Sequence, residues 1–247
     1  MKIIAAIPAY NEEPFIGDIV SRAKCYVNQV IVVDDGSKDD TAKIATETEG
    51  LVVRHDTNQG TGSATRTCFK AARERDADIL ITLDGDGQHN PDEIPILLAP
   101  ILRSEADLVI GSRFLKAIPS ITHHASHITS HIPPYRRFGI SVITFLFNLG
   151  SKVKVTDSQS CFRAHTRKLL ETINITQNGF GFSVEVLLQA RNQGFIIKEV
   201  PISCIYHPHS HSLNPVIHGL SVAFTVVKLR LKYFLHQPTR KESKCSS

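Results

Sequence analysis

The chain has 247 residues, of which 42% are hydrophobic and 21% charged, with a formal net charge of +4. Such a composition supports a packed core and excludes wholesale disorder, and the length suits one large α/β domain or two small ones. Five cysteines (25, 68, 161, 204 and 245) form no CxxC pair, which excludes a zinc ribbon and a disulfide framework and suits free thiols. The opening MKIIAAIPAYNEE holds too short an apolar run for a signal peptide and reads as a first strand, Ile3–Pro8. Further Ile- and Val-rich strands are predicted at Val30–Val33, Leu51–Arg54, Ile79–Leu83 and Leu108–Ile110. Helices fit between them at Glu13–Cys25, Asp40–Thr48, Gly62–Glu74 and Asp92–Leu102, with Ser37 or Asp39 as a cap and Pro91 in a first turn.

Near-continuous apolar strands joined by helices imply an α/β fold with a mainly parallel sheet covered on both faces. Ligands of such sheets sit at the carboxyl ends of the strands, where the polar and Gly-rich residues of this chain collect. After Arg113 the texture changes. Residues 115–137 are rich in His, Pro, Ser and Thr and read as a mobile loop; 138–150 follow as an apolar helix flanked by Arg136, Arg137 and Lys152. A strand near Cys161–Ala164, a helix Ser183–Gln193 and a strand Ile196–Ile202 come next. The domain is expected to close at 212. An amphipathic helix at 213–236 and a basic tail at 237–247 complete the chain, and residues 228–247 hold six Lys/Arg against one Glu. Neither apolar helix is a continuous run of spanning length.

Asp84 and Asp86 follow a predicted strand two residues apart, so their side chains project the same way and can share one divalent cation. An acidic turn is the competing reading, since Asp and Gly are common turn formers. Gln88 and His89 stand beside the pair as candidate hydrogen-bonding partners, and a plain loop role fits His89 equally. Asp34 and Asp35 end another strand, where a carboxylate can accept from a ribose or a base; helix capping accounts for Ser37 or Asp39 but not for Asp34. The segment from Pro8 through Tyr10 to Glu12 offers a backbone wall and an aromatic face. No GxGxxG follows the first strand and no P-loop is present, which disfavours hydride transfer and ATPase chemistry. His123, His127 and His131 have i, i+4 spacing, but their Ser/Thr and Pro neighbours favour a solvated loop over a metal site.

IPAYNE, VVDDGSKDDT, NQGTGSAT, DGDGQH, GSRF and DSQSCFR occur in one order that resembles the family 2 glycosyltransferases of GT-A fold. Within them the chain is most similar to dolichyl-phosphate mannose synthases and other polyprenyl-phosphate hexosyltransferases, over residues 2–220. The resemblance implies that Pro8, Tyr10, Glu12, Asp34 and Asp35 hold the nucleoside of a nucleotide sugar, GDP-mannose or a UDP-sugar. It implies that Asp84, Asp86 and Gln88 hold Mg²⁺ or Mn²⁺ and the donor diphosphate. Arg113 and Arg137 would face phosphates, and Asp157 and Arg163 would lie beside the sugar and the acceptor phosphate. Cys161 stands where the family usually has Gly, which puts the role of Arg163 in doubt.

The implied reaction is inverting, metal-dependent transfer of a hexose to dolichyl or polyprenyl phosphate by a peripheral enzyme on the cytoplasmic membrane face. The basic flanks of both apolar helices fit an anionic lipid surface. The polar segment from His207 to Pro215 would line the acceptor entrance, or form a plain surface loop. The alternatives are a saccharide or protein acceptor, for which Asp157 would be the base, or a UDP-glucose or UDP-N-acetylglucosamine donor. A nucleotidyltransferase would want a Gly-rich, basic loop after the first strand. A nucleic-acid-binding module would want aromatic residues interleaved with the basic ones; neither pattern is present, and no nucleic-acid partner is expected.

Overall fold

The computed structural model describes residues 1–116, 132–151, 153–205 and 222–231. In chain order the strands are β1 (Ile3–Ala9), β2 (Gln29–Asp34), β3 (Leu51–Arg54), β4 (Ile79–Thr82), β5 (Leu108–Ser112), β6 (Arg163–Thr166) and β7 (Ile197–Pro201). The helices are α1 (Glu13–Ala23), α2 (Thr41–Glu47), α3 (Thr61–Arg73), α4 (Ile94–Leu102), α5 (Pro134–Asn148), α6 (Arg167–Thr172) and α7 (Phe182–Asn192), with a further helical segment at 222–231. The strands form one sheet in the order β3-β2-β1-β4-β6-β5-β7. All neighbouring pairs are parallel except those of β6, which runs against both β4 and β5.

Side-chain alternation divides the core in two. Ile4 and Ala6 of β1 join Leu80, Leu108 and Ile110 on the face covered by α3 and α7. Ala5 and Ile7 join Ile79, Ile81 and Val109 on the face covered by α1 and α4. With apolar residues wanted on both faces, the strands read as unbroken hydrophobic runs, which is why they were legible one at a time.

Two boundaries and one short helix depart most from expectation. Helix α5 begins at Pro134, inside the stretch read as loop, because Pro133 and Pro134 suit the start of a helix and not only a turn. The strand expected at Cys161–Ala164 lies two residues later. The short helix α6, capped by the Thr166 side chain, was not foreseen. The histidines at 123, 127 and 131, the segment 207–215 and the tail 237–247 lie outside the described residues, as do parts of the 213–236 helix.

The reversal of β6 organises the site edge. Parallel strands bring the residues after their carboxyl ends to that edge; a reversed strand brings the residues before its start. Cys161 therefore hydrogen-bonds Asp84, and Asp157 pairs with Arg113 from 44 positions further along the chain.

Candidate active site

The loop after β1 and the loop after β2 are tied together by side chain–backbone bonds. Ser37 Oγ accepts from the Asn11 amide at 2.9 Å, Asn11 Oδ1 accepts from Lys38 N at 2.9 Å, and Thr41 Oγ1 accepts from Glu12 N at 2.8 Å. Asn11 adopts a left-handed φ of 55°, which Asn tolerates better than most residues. Tyr10 keeps 38% of its surface exposed beside this seam, and Pro8 lies in β1 below it.

Asp34 and Asp35 prove to be internal anchors. Asp34 is fully buried; its Oδ1 accepts from Ser37 N at 3.0 Å and its Oδ2 lies 3.1 Å from Arg54 Nε. Asp35 accepts from Gln59 N at 3.0 Å and Gly60 N at 2.9 Å, and His55 Nδ1 lies 2.6 Å away. His55 Nε2 in turn meets Thr67 Oγ1 at 2.9 Å. Asp35 thus fastens the Asn58–Gly60 loop to β2. His55, which sequence reasoning missed, aligns Asp35; its position one residue after β3 was the only available signal.

Asp84 and Asp86 extend past β4 as expected, and Glu12 approaches them from the β1 loop. Burial first, and then the neighbouring carboxylates, push Glu12 up to about 8. Asp84 is raised to about 7, by burial first and by Asp86 next, against the opposing pull of Arg113, a Cys161 thiol hydrogen bond and Arg163. Crowded like charges of this kind are what a divalent cation relieves, and a set of hard oxygen donors suits Mg²⁺ or Mn²⁺. Among the described residues no three His, Cys, Asp or Glu side chains form a ready-made cage. The pair therefore fits a cation that takes its other ligands from phosphate and water. Gln88 orients Asp86, donating from its backbone N at 3.0 Å and its side-chain Nε2 at 2.5 Å. His89 is 5% exposed, packed on Phe162, and kept neutral by burial, which lowers it to about 3.

Across from the carboxylates stands an Arg113–Asp157 pair. Asp157 is fully buried and takes Arg113 Nε at 2.7 Å, Arg113 Nη2 at 2.9 Å and the backbone N–H groups of Arg113, Gln159 and Ser160 at 3.1–3.3 Å. Burial alone would raise its pKa, but the Arg113 guanidinium and these N–H groups prevail and hold it below the ordinary carboxylate value. Glu199 of β7 supports the arrangement from behind, accepting from Thr156 N at 2.7 Å and Asp157 N at 3.0 Å. Its signal in the sequence was an acid within a short strand, beside Lys198.

Two further positions stand apart from these contacts. Arg163 is 2% exposed and spends Nη1 and Nη2 on Ser183 O, Ser183 Oγ and Ser158 O, so in this structure it does not present itself to an acceptor. The cause is strand parity, which turns it onto the α7 face of the sheet. Arg137 is exposed on the first turn of α5, outside the contacts described above.

Residues 4–174 match the model of glycosyl transferase family 2. A UDP-N-acetylglucosamine–dolichyl-phosphate N-acetylglucosaminyltransferase of Methanococcus voltae is 33% identical, covering 93% of this chain and 96% of that protein. A polyprenol monophosphomannose synthase of Mycolicibacterium smegmatis is 32% identical over 82% of this chain and 77% of its own length. Among solved structures, a glucosyl-3-phosphoglycerate synthase of Mycobacterium tuberculosis in complex with Mn²⁺ and UDP-glucose superposes with a TM-score of 0.68 at 20% identity, over 94% of this chain and 78% of that one. The shared architecture is the GT-A fold.

Proposed function

Because the chain belongs to glycosyl transferase family 2, and is thereby a glycosyltransferase, we propose that it moves a hexose from a nucleotide sugar to a polyprenyl phosphate with inversion at the anomeric carbon. The state of Asp157 carries the acceptor class. A hydroxyl acceptor must lose a proton as its bond to the sugar forms, which calls for a base within hydrogen-bond reach. Asp157 already accepts five N–H groups and is held below the ordinary carboxylate value, so it is a poor base. A phosphate oxygen is anionic at neutral pH and needs none. It attacks the anomeric carbon, the bond from that carbon to the diphosphate oxygen breaks, and the nucleoside diphosphate leaves with the electron pair.

Each group then has a defined task. The Asp157 carboxylate sets the fork of Arg113, whose charge meets the phosphates. Gln88 aims Asp86, and Asp84 and Asp86 hold Mg²⁺ or Mn²⁺, which when bound neutralises the leaving diphosphate. Tyr10 and the seam between the β1 and β2 loops receive the nucleoside, with Asp34 and Asp35 shaping the walls. Arg137, exposed at the start of α5, meets the acceptor phosphate.

A lipid acceptor also accounts for the exposed side of α5. Tyr135, Phe138, Val142, Phe145 and Leu149 form a stripe of 38–72% exposure at helical spacing. The adjoining segment 222–231 exposes Phe224, Val227 and Leu231, and its Arg230 donates to the Leu146, Phe147 and Leu149 carbonyls at the end of α5. Among the described residues no helix is long and apolar enough to cross a membrane. Such helices suit a peripheral position on the cytoplasmic leaflet.

GDP-mannose is the first donor to test. The Methanococcus voltae relative favours UDP-N-acetylglucosamine as the second. The purified chain is incubated with polyprenyl phosphate, Mn²⁺ and each labelled nucleotide sugar. Organic-extractable label that is lost with EDTA is the expected result; no label with any donor rejects the proposal.

A further inference from the structure

On the sheet face beneath α3 and α7, apolar packing is interrupted by the polar side chains of Thr82, Arg163 and His165. The β4–β6 register sets Thr82 opposite Arg163 and Leu80 opposite His165, and strand parity puts Arg163 and His165 on one face. Their surroundings include Phe69, which meets the His165 ring edge-on at 5.1 Å, and Phe182. Arg163 is 2% exposed and His165 1%. Each leaves one nitrogen without a partner, Arg163 Nε and His165 Nδ1.

Both line a single cavity of about 10 Å³, together with Thr82, Cys161 and Asp84. That is about the smallest volume that admits one water molecule. The hydrogen-bond pattern identifies what the occupant has to be. Thr82 Oγ1 donates its one proton to Cys161 O at 2.8 Å, so the 3.3 Å contact with His165 Nε2 makes that nitrogen the donor. Burial keeps His165 neutral, lowering it to about 3, and Nδ1 is then a bare lone pair. The cavity therefore offers one N–H donor, one nitrogen acceptor and the Asp84 carboxylate. An anion would face the lone pair and the carboxylate, and a cation would face the guanidinium. A neutral molecule that both donates and accepts satisfies all three.

We propose that this cavity is a binding site for one water molecule, which accepts from Arg163 Nε–H and donates to His165 Nδ1 and to the Asp84 carboxylate. Asp84 is among the residues lining this cavity and its side chain keeps 31% of its surface exposed, so this residue borders both the cavity and the outside. The water ties it to the sheet from behind, making Arg163 and His165 positioning residues for Asp84. This consequence, unlike the water site itself, rests on the proposed reading of Asp84 as a cation ligand.

A high-resolution crystal structure of the full chain tests the site. One water peak about 2.7–3.2 Å from both Arg163 Nε and His165 Nδ1 is expected. An empty cavity, or a peak with the anomalous signal of an ion, overturns the proposal. In His165→Leu the peak disappears; in His165→Asn, whose side-chain oxygen takes the place of Nδ1, it stays. Binding of Mn²⁺ alone, read from the paramagnetic resonance of the free ion, weakens about ten-fold or more in His165→Leu. His165→Asn, which loses the same ring contact with Phe69, keeps near-native affinity. Equal affinity in all three proteins overturns the positioning role. Absence of Mn²⁺ binding by the native chain overturns instead the cation reading of Asp84, and the density still decides the water. If His165→Leu does not fold, the native and His165→Asn structures decide alone.

Discussion

Two residues at the active edge behave contrary to their formal chemistry. Asp157 sits where a base is wanted, yet its environment spends every lone pair on Arg113 and backbone N–H groups. Its neutral isostere, Asp157→Asn, leaves the Arg113 guanidinium, whose side chain is only 11% exposed, without its counter-charge. Removing one partner of a buried pair costs about 3–5 kcal/mol. We expect a lower melting temperature by calorimetry and a partial loss of transfer, through a misplaced Arg113. Complete loss in a folded variant, with acceptor binding intact, would return Asp157 to the role of base and the acceptor to a hydroxyl. Glu12 shows the opposite bias, holding its proton to about 8 because burial and Asp86 and Asp84 disfavour the charge. A carboxyl whose folded pKa is raised contributes stability below its unfolded value and loses that contribution as pH rises through its folded one. With Asp84 raised to about 7, metal-free protein is therefore expected to lose thermal stability between about pH 5 and 8. Mn²⁺ should restore more of it at the upper end than at the lower, and Glu12→Gln should flatten the profile. A flat profile in the native protein would contradict this.

At the scale of elements, the start of α3 shows how the side proposed for the donor is held. Gly62 N donates to Asn178 O at 2.7 Å, and Arg66 reaches Ile175 O, so the Asn58–Gly60 loop and the 175–179 segment are locked together. A Cβ on Gly62 would lie 2.2 Å from Gln177 O, a backbone atom that cannot swing away. Alanine there gains up to about 1 kcal/mol of helix propensity. Overpacking costs about 1–3 kcal/mol and prevails. Gly62→Ala should therefore lower the melting temperature and raise the donor KM. Gly139→Ala on α5 is the counterpart, with nothing within 4 Å of the added carbon, and should be neutral or stabilising. If both variants behave alike, helix propensity decides and packing does not.

On the scale of the whole molecule, the proposed function joins the carboxylate cluster, the Arg113 pair and the exposed helices in one reaction at a membrane surface. Changing Phe138, Phe145 and Phe224 together to Ser removes three side chains of 64–72% exposure, each worth about 1.5 kcal/mol or more if it enters lipid. Sedimentation with anionic vesicles should then show at least about a hundred-fold weaker binding, since each 1.4 kcal/mol is tenfold. Transfer to a short-chain, water-soluble polyprenyl phosphate should persist. Unchanged vesicle binding would assign these faces to another partner.

The strands, their intervening helices and the acidic pairs at strand ends were legible from residues alone, because apolar periodicity and turn chemistry are local properties of the chain. The ordered motifs carried the family for the same reason. Local pattern does not record which way a strand runs in the sheet, and β6 alone reverses; that reversal brings Ser158–Cys161 to the site and turns Arg163 inward. Nor does it record which lone pairs are already spent. The tertiary structure decided which neighbours Asp34, Asp35 and Asp157 bond, because hydrogen bonds between distant segments form only when the chain has folded.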